Sequence, residues 1–207
     1  MPDAKLPAGF VYPTELCGNI ILEIRYFTSY NFVGEPLTGY EAPRAVLTEP
    51  AARALCAAAE RFEDLGYAVK IYDAYRPRSA VEHFLRWGGD LSDQRMKDVF
   101  YPEISKEEIF TRNFISPLSA HSRGSALDIT LVDRLTGKDA DMGGVFDLFG
   151  EISSFAAPGL SAEQRRNRQL LRSVMEESGF EGDADEWWHF RYKDEPYPDR
   201  YFDFPIV

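Results

Sequence analysis

The chain has 207 residues, 44% of them hydrophobic, and a formal net charge of −11 from 34 acidic and 23 basic side chains. That length supports one substantial core, so a single domain over residues 1–207 is expected. The acidic balance excludes the basic stripe needed for nucleic acid or an anionic membrane surface, and no segment approaches the roughly 20 apolar residues of a membrane-spanning helix.

The opening stretch, MPDAKLPAGFVYPTELCGNI, has no apolar run behind a basic leader, and a cytoplasmic location is the corresponding expectation. Cys17 and Cys56 lie far apart without a CxxC pattern and are expected to be reduced, structural thiols. Ile20 to Tyr26 (IILEIRY) reads as a strand. Beyond it, Gly34, Pro36, Gly39 and Pro43 punctuate an irregular loop rich in aromatics that can wall a pocket.

From Thr48 to Leu65 the apolar residues Leu55, Ala58, Ala59, Phe62 and Leu65 recur at helical spacing, with Thr48 placed to cap the start and Gly66 the end. Tyr67 to Asp73 reads as a strand and Ser79 to Trp87 as a helix, so AYRPRS forms the junction between them. Ala126 to Val132 is a further apolar strand, and turn signals at Thr136-Gly137 and Gly143-Gly144 suggest a hairpin or meander after it. Ser161 with Gln164 forms a capping box ahead of a stripe of Leu170, Leu171, Val174 and Met175, closed by Gly179. The segment EWWHFRY reads as the last strand, followed by a Pro-rich tail. The mixture predicts an α+β fold with a small, mostly antiparallel sheet flanked by helices.

Three histidines occur, His83, His121 and His189. His83 sits on the second predicted helix and reads as a structural or surface residue. His121 and His189 each have carboxylate companions, Asp128 in SAHSRGSALDIT and Glu186 in DEWWHFRY. Two imidazoles and one carboxylate suit a zinc site that keeps its fourth position open for water, and a further carboxylate nearby can take that water's proton. Gly124 gives the loop freedom to bring His121 and Asp128 to one point. Residues three apart on a regular strand face opposite ways, so spacing leaves open whether Glu186 or Asp185 is the base, and whether a bulge intervenes. Arg76, at the strand-to-helix junction, is placed to hold a developing oxyanion. Asp147 can pair with a substrate ammonium, or it can simply be solvated.

The segments AYRPRSA, SAHSRGSALDITL, MGGVFDLFG and DEWWHFRYKDEPYPDRYFDFP together resemble the zinc-dependent D-alanyl-D-alanine dipeptidases of the vancomycin-resistance type, in order and in spacing, from about Tyr26 to Val207. The resemblance implies the hedgehog-like zinc peptidase fold and one Zn2+ per chain held by His121, Asp128 and His189. It implies that Glu186, rather than Asp185, is the general base and acid, and that Arg76 stabilises the transition state. Asp147 and Tyr26 match positions that hold the dipeptide's ammonium, and Ser119 matches a serine near the other end. Ala120 departs from the second serine often found before the zinc histidine. The implied substrate is a small molecule, the free dipeptide D-Ala-D-Ala, and the implied setting is cell-wall metabolism, with glycopeptide resistance or D-alanine recycling as the outcome. Two other readings compete: a peptidase of longer muropeptides or a carboxypeptidase, and a zinc-binding module without catalysis, which would need neither Glu186 nor Arg76.

Overall fold

A computed structural model describes residues 6–112 and 114–207. The leader expectation concerns in part residues 1–5, which lie outside the described residues. The strands are Phe10–Val11 (β1), Ile20–Leu22 (β2), Leu47–Thr48 (β3), Tyr67–Asp73 (β4), Ala126–Asp133 (β5), Phe180–Gly182 (β6) and His189–Tyr192 (β7). The helices are Glu49–Asp64 (α1), Arg78–Gly89 (α2), Lys97–Phe100 (α3), Lys106–Thr111 (α4) and Ala162–Glu177 (α5). A five-stranded sheet runs in the order β2-β4-β5-β7-β6, with β2 parallel to β4 and the other pairs antiparallel. This is the expected α+β arrangement with a small, mostly antiparallel sheet.

The helical periodicity of α1 is realised in packing. Leu55, Ala58, Ala59 and Phe62 are fully buried, and burial of a side chain such as Leu or Phe is worth about 1.5–3 kcal/mol each. Leu65, one residue beyond the helix, is 52% exposed. Gly66 adopts φ 87°, the left-handed turn that ends α1 without a Cβ penalty. Thr48 occupies the cap position, but its side chain makes no cap there. Its hydroxyl pairs with Ser125 Oγ at 2.7 Å, and its N–H donates to Gly124 O at 2.7 Å. The start of α1 is thereby tied to the segment that carries His121. In α5 the capping box forms in both directions, Gln164 N to Ser161 Oγ at 3.1 Å and Ser161 N to Gln164 Oε1 at 2.8 Å.

Four expectations are corrected. The first strand stops at Leu22; after Glu23 N donates to Ile71 O, the chain turns through Arg25–Phe27 and buries Tyr26 at 1% exposure. Among the described residues the turns after β5 lead into no hairpin strand: Asp133 Oδ1 accepts from the N–H groups of Leu135 and Thr136, and the returning chain makes an isolated bridge from Asp139 to Val132. The last strand begins at His189, three residues later than expected for a strand from Glu186. Cys17 and Cys56 are not free thiols but a disulfide, because the turn at Pro13–Glu15 packs on α1 and places the two Cα atoms 5.7 Å apart. Two helices, α3 and α4, occupy a stretch that the periodicity left unassigned. Lys106 there is buried and donates to Trp87 O and Asp90 O at the end of α2, filling the carbonyls that a helix terminus leaves open. Among the described residues, no helix is long and apolar enough to cross a membrane.

Candidate active site

The centre of the sheet delivers the chemistry. Asp128 lies on β5, and its register partners are His189 on β7 and Asp73 on β4, where a register shift after Ile71 breaks the regular pairing. His121 comes from a 3-10 turn, Ala120–Arg123, that ends at Gly124 with φ 82°. A Cβ at Gly124 would also meet Phe10 Cε1 at 2.3 Å, so glycine is required there for space as well as for backbone conformation. The turn runs directly into β5 and sets His121 beside Asp128.

Three candidate ligand atoms converge. His121 Nε2 lies 3.1 Å from His189 Nδ1, His189 Nδ1 lies 3.0 Å from Asp128 Oδ1, and His121 Nε2 lies 3.3 Å from Asp128 Oδ1. Ligands about 2.0–2.1 Å from a tetrahedral zinc ion are separated from one another by about 3.3–3.4 Å, and the observed triangle is close to one face of that tetrahedron. His121 Nδ1 is 2.6 Å from Ala74 O, which fixes the proton on Nδ1 and leaves the Nε2 lone pair for a cation. Burial alone would raise Asp128 and lower His189. The adjacent His121 and His189 instead hold Asp128 well below the usual carboxylate range, and the hydrogen bond and charge of Asp128 raise His189. The residues present therefore fit a single divalent ion of zinc type.

Glu186 and His189 are brought together without a bulge. Glu186 precedes the strand, and His189 N donates to Glu186 O at 3.1 Å across a turn, so strand alternation does not apply to the pair. Glu186 Oε2 lies 4.0 Å from His189 Nδ1. Burial, opposed by His189 and reinforced by the charge of Asp128, pushes the Glu186 carboxyl up to about 7, a value suited to accepting and returning a proton near neutrality. Asp185 is exposed and its N–H is engaged by Asp183 Oδ1 at 2.7 Å.

Arg76 reaches the same space from the end of β4. Its Nε and Nη2 both lie 2.9 Å from Asp73 Oδ2, Nη2 lies 3.6 Å from Asp128 Oδ2, and its guanidinium stands 5.0 Å from the Tyr26 ring centroid. Tyr40 O–H donates to the other Asp73 oxygen at 2.6 Å. Sequence reasoning missed Asp73 and Tyr40. The available signal was a carboxylate sharing the strand face of Val69 and Ile71, because a charge on a core face needs a partner. Tyr26 O–H donates to Asp147 Oδ2 at 2.9 Å. Asp147 is buried with φ 62°, uncommon for any residue but glycine, and burial together with the charge of Asp128 raises its carboxyl well above the usual range.

All eight residues expected from the sequence, Tyr26, Arg76, Ser119, His121, Asp128, Asp147, Glu186 and His189, line one cavity of about 170 Å³. Ser119 Oγ accepts from His121 N at 3.3 Å, and Ala120 lines the wall beside it. His83 stands elsewhere, paired with Glu35 at 3.0 Å and accepting from Thr38 N at 3.3 Å. The cavity is small beside the roughly 300–1,000 Å³ typical of drug-sized ligand sites, and Phe32, Phe84, Phe149 and Trp188 supply its apolar wall. A wider, acidic hollow of about 750 Å³ shares Phe114, Glu186 and His189 with it. A cation site, a raised carboxylate, a fixed guanidinium and a buried Asp-Tyr pair in one small space can support hydrolysis of a compact, amine-bearing substrate.

Comparison with known proteins places these features in context. Residues 7–207 match the family described as D-ala-D-ala dipeptidase. The chain is 44% identical over 202 residues to a D-alanyl-D-alanine dipeptidase of Streptomyces coelicolor, covering 98% of this chain and 100% of that one. It is 41% identical over 198 residues to a D-alanyl-D-alanine dipeptidase of Enterococcus faecium, covering 96% and 98%. Among solved structures, the LdcB LD-carboxypeptidase aligns with a TM-score of 0.47 and 17% identity, covering 94% of this chain and 72% of that one. The vancomycin resistance D,D-pentapeptidase VanY in complex with Zn(II) aligns with a TM-score of 0.43 and 15% identity, covering 75% and 77%.

Proposed function

The chain belongs to the D-ala-D-ala dipeptidase family, and on that premise we propose that it hydrolyses the free dipeptide D-Ala-D-Ala to two D-alanines, using one zinc ion held by His121, Asp128 and His189. The observation that carries the metal assignment is the triangle of 3.0–3.3 Å between the three ligand atoms, beside a carboxylate raised to about 7. The ion, when bound, supplies a Lewis acid for the scissile carbonyl and acidifies a water.

The side chains divide the remaining work. Glu186 removes a proton from the attacking water and delivers one to the leaving amine. Arg76 donates to the oxyanion that develops on the scissile carbonyl, and the paired bonds to Asp73 hold its guanidinium ready so that no reorganisation is needed during reaction. Asp147, supported by Tyr26, receives the substrate ammonium, while Ser119 contacts the carboxylate end. An acylated amine carries no charge to pair with Asp147 and forfeits that charge-assisted contact, which selects for free dipeptides over longer peptides. A zinc module without turnover would need neither Glu186 nor Arg76 on the cavity wall, whereas both are there. As to location, the Cys17–Cys56 disulfide favours an oxidising compartment over the cytoplasm expected from the sequence.

Removal of metal tests this reading. Protein treated with chelator and dialysed should release no D-alanine from D-Ala-D-Ala, and one molar equivalent of zinc should restore release; His189→Ala should bind less than one equivalent and stay inactive. Turnover that survives complete metal removal would contradict the assignment.

A further inference from the structure

Arg168 is the largest side chain buried below 2% exposure, and among the described residues no carboxylate makes an ion pair with it. Its three guanidinium nitrogens are spent on three backbone carbonyls: Nε donates to Met142 O at 2.6 Å, Nη2 to Ile152 O at 2.8 Å and Nη1 to Ser154 O at 2.6 Å. Residues that merely fill space in a core are apolar, since a buried cation without a counter-ion carries a desolvation cost. Burial, only partly opposed by the more distant charge of Asp141, lowers Arg168 to about 10. Such a residue is explained by what its donors hold.

The three carbonyls belong to the two ends of one loop, and Asp147 lies between them. Neighbouring positions of α5 reinforce the first end: Gln164 Nε2 donates to Asp141 Oδ2 and Asn167 Nδ2 to Asp141 O, each at 2.9 Å. At the second end Ser153 O accepts from Trp187 N at 2.9 Å, and the Trp187 ring lies 5.8 Å from the Arg168 guanidinium. Asp147 keeps a left-handed conformation inside this loop, and a residue in that region persists only where its surroundings fix it from several sides. We infer that Arg168 is a positioning residue for substrate recognition, holding both ends of the 142–154 loop so that Asp147 faces the ammonium of the dipeptide. The inference rests on the reading of Asp147 as the ammonium partner.

Lysine keeps the charge at position 168 but cannot reach three carbonyls in a planar fork, so Arg168→Lys is the primary variant and Arg168→Met a harsher second. The measurements are zinc content, melting temperature, and kcat and KM for D-Ala-D-Ala, each in the parent and in an Asp147→Asn background. The expected result is one zinc per chain throughout, KM raised about 5–30-fold by Arg168→Lys with kcat within threefold, and no further rise in KM when Asp147→Asn is already present. A lower melting temperature with KM unchanged would overturn the inference and leave Arg168 a structural residue only. An equal KM rise in the Asp147→Asn background would also overturn it. If Asp147→Asn alone leaves KM unchanged, the underlying reading of Asp147 has failed instead.

Discussion

The Tyr26 hydroxyl donates to Asp147 Oδ2 at 2.9 Å across 121 residues of sequence, and the carboxyl it meets is buried and held well above the usual range. A carboxyl raised in the folded state favours its protonated form there. Its contribution to stability is therefore greatest below the unfolded pKa and falls as pH rises toward the folded one. Asp147→Asn retains an acceptor for Tyr26 and tolerates the left-handed backbone. It should raise the melting temperature at neutral pH, by about 2–4 °C for each kcal/mol recovered. The same change should raise KM roughly 10–100-fold, as loss of a charge-assisted contact does. The parent KM should climb as pH falls, because the ammonium must displace a proton from Asp147, and the Asn variant should not show that climb. Paired melts and Michaelis series across pH 5–8 check both signs.

Arg76 is held by two contacts to one Asp73 oxygen, a geometry that an ammonium cannot reproduce. Arg76→Lys should lower kcat about 10²–10³-fold, the scale of a lost oxyanion donor, with zinc content unchanged. Asp73→Asn should act in the same direction by about 10–100-fold, since groups that orient a catalytic residue typically have that effect. Steady-state kinetics beside metal analysis would show it; a full-strength kcat in Arg76→Lys would remove Arg76 from the oxyanion role.

Glu186 is raised to about 7 beside the three candidate ligand atoms of His121, Asp128 and His189 without being grouped with them. Glu186→Gln should bind one zinc with a melting temperature close to the parent's, yet lose roughly 10²–10⁴-fold in turnover. Loss of zinc together with activity would instead make Glu186 a ligand.

The site was more legible than the path of the chain around it. His121, Asp128 and His189 could be grouped from residue type and spacing, and the resemblance to known dipeptidases assigned their roles together with those of Glu186 and Arg76. Long elements with clean periodicity were legible too: Tyr67–Asp73 has the expected bounds and α1 departs from them by one residue at each end. What escaped was set by tertiary partners. Glu186 seemed misplaced because EWWHFRY looks like one strand, whereas β7 pairs only from His189 onward, where Asp128 is opposite. Tyr26 looked like a strand residue until the chain turned to bury it beneath Arg76. Arg168 sat unmarked among charged neighbours in EQRRNRQ, although it lies three residues before Leu171 and seven before Met175 and so on the buried stripe of α5, because an arginine there reads as the end of the stripe and not as a member of it.

The disulfide was equally invisible, because Cys17 and Cys56 meet only when the N-terminal turn packs on α1, and it closes a separation of 39 residues. A cross-link of that span stabilises by about 2–4 kcal/mol, mainly through the unfolded chain. Cys56→Ser should lower the urea midpoint by a corresponding amount while leaving kcat within twofold, since neither cysteine lines the catalytic cavity. Addition of dithiothreitol should shift the parent protein toward the variant's midpoint and leave the variant where it is. Equal midpoints for the two proteins without reductant would contradict the bond.

The central claim is hydrolysis of a free dipeptide read by its ammonium, and the most direct measurement is D-alanine release by the zinc-loaded protein from D-Ala-D-Ala and, in parallel, from N-acetyl-D-Ala-D-Ala. The geometry around Asp147 predicts rapid release from the free dipeptide and release roughly 100-fold slower from the acetylated one, the scale of a lost charge-assisted contact. Comparable cleavage of the two substrates, or release from neither, would contradict it.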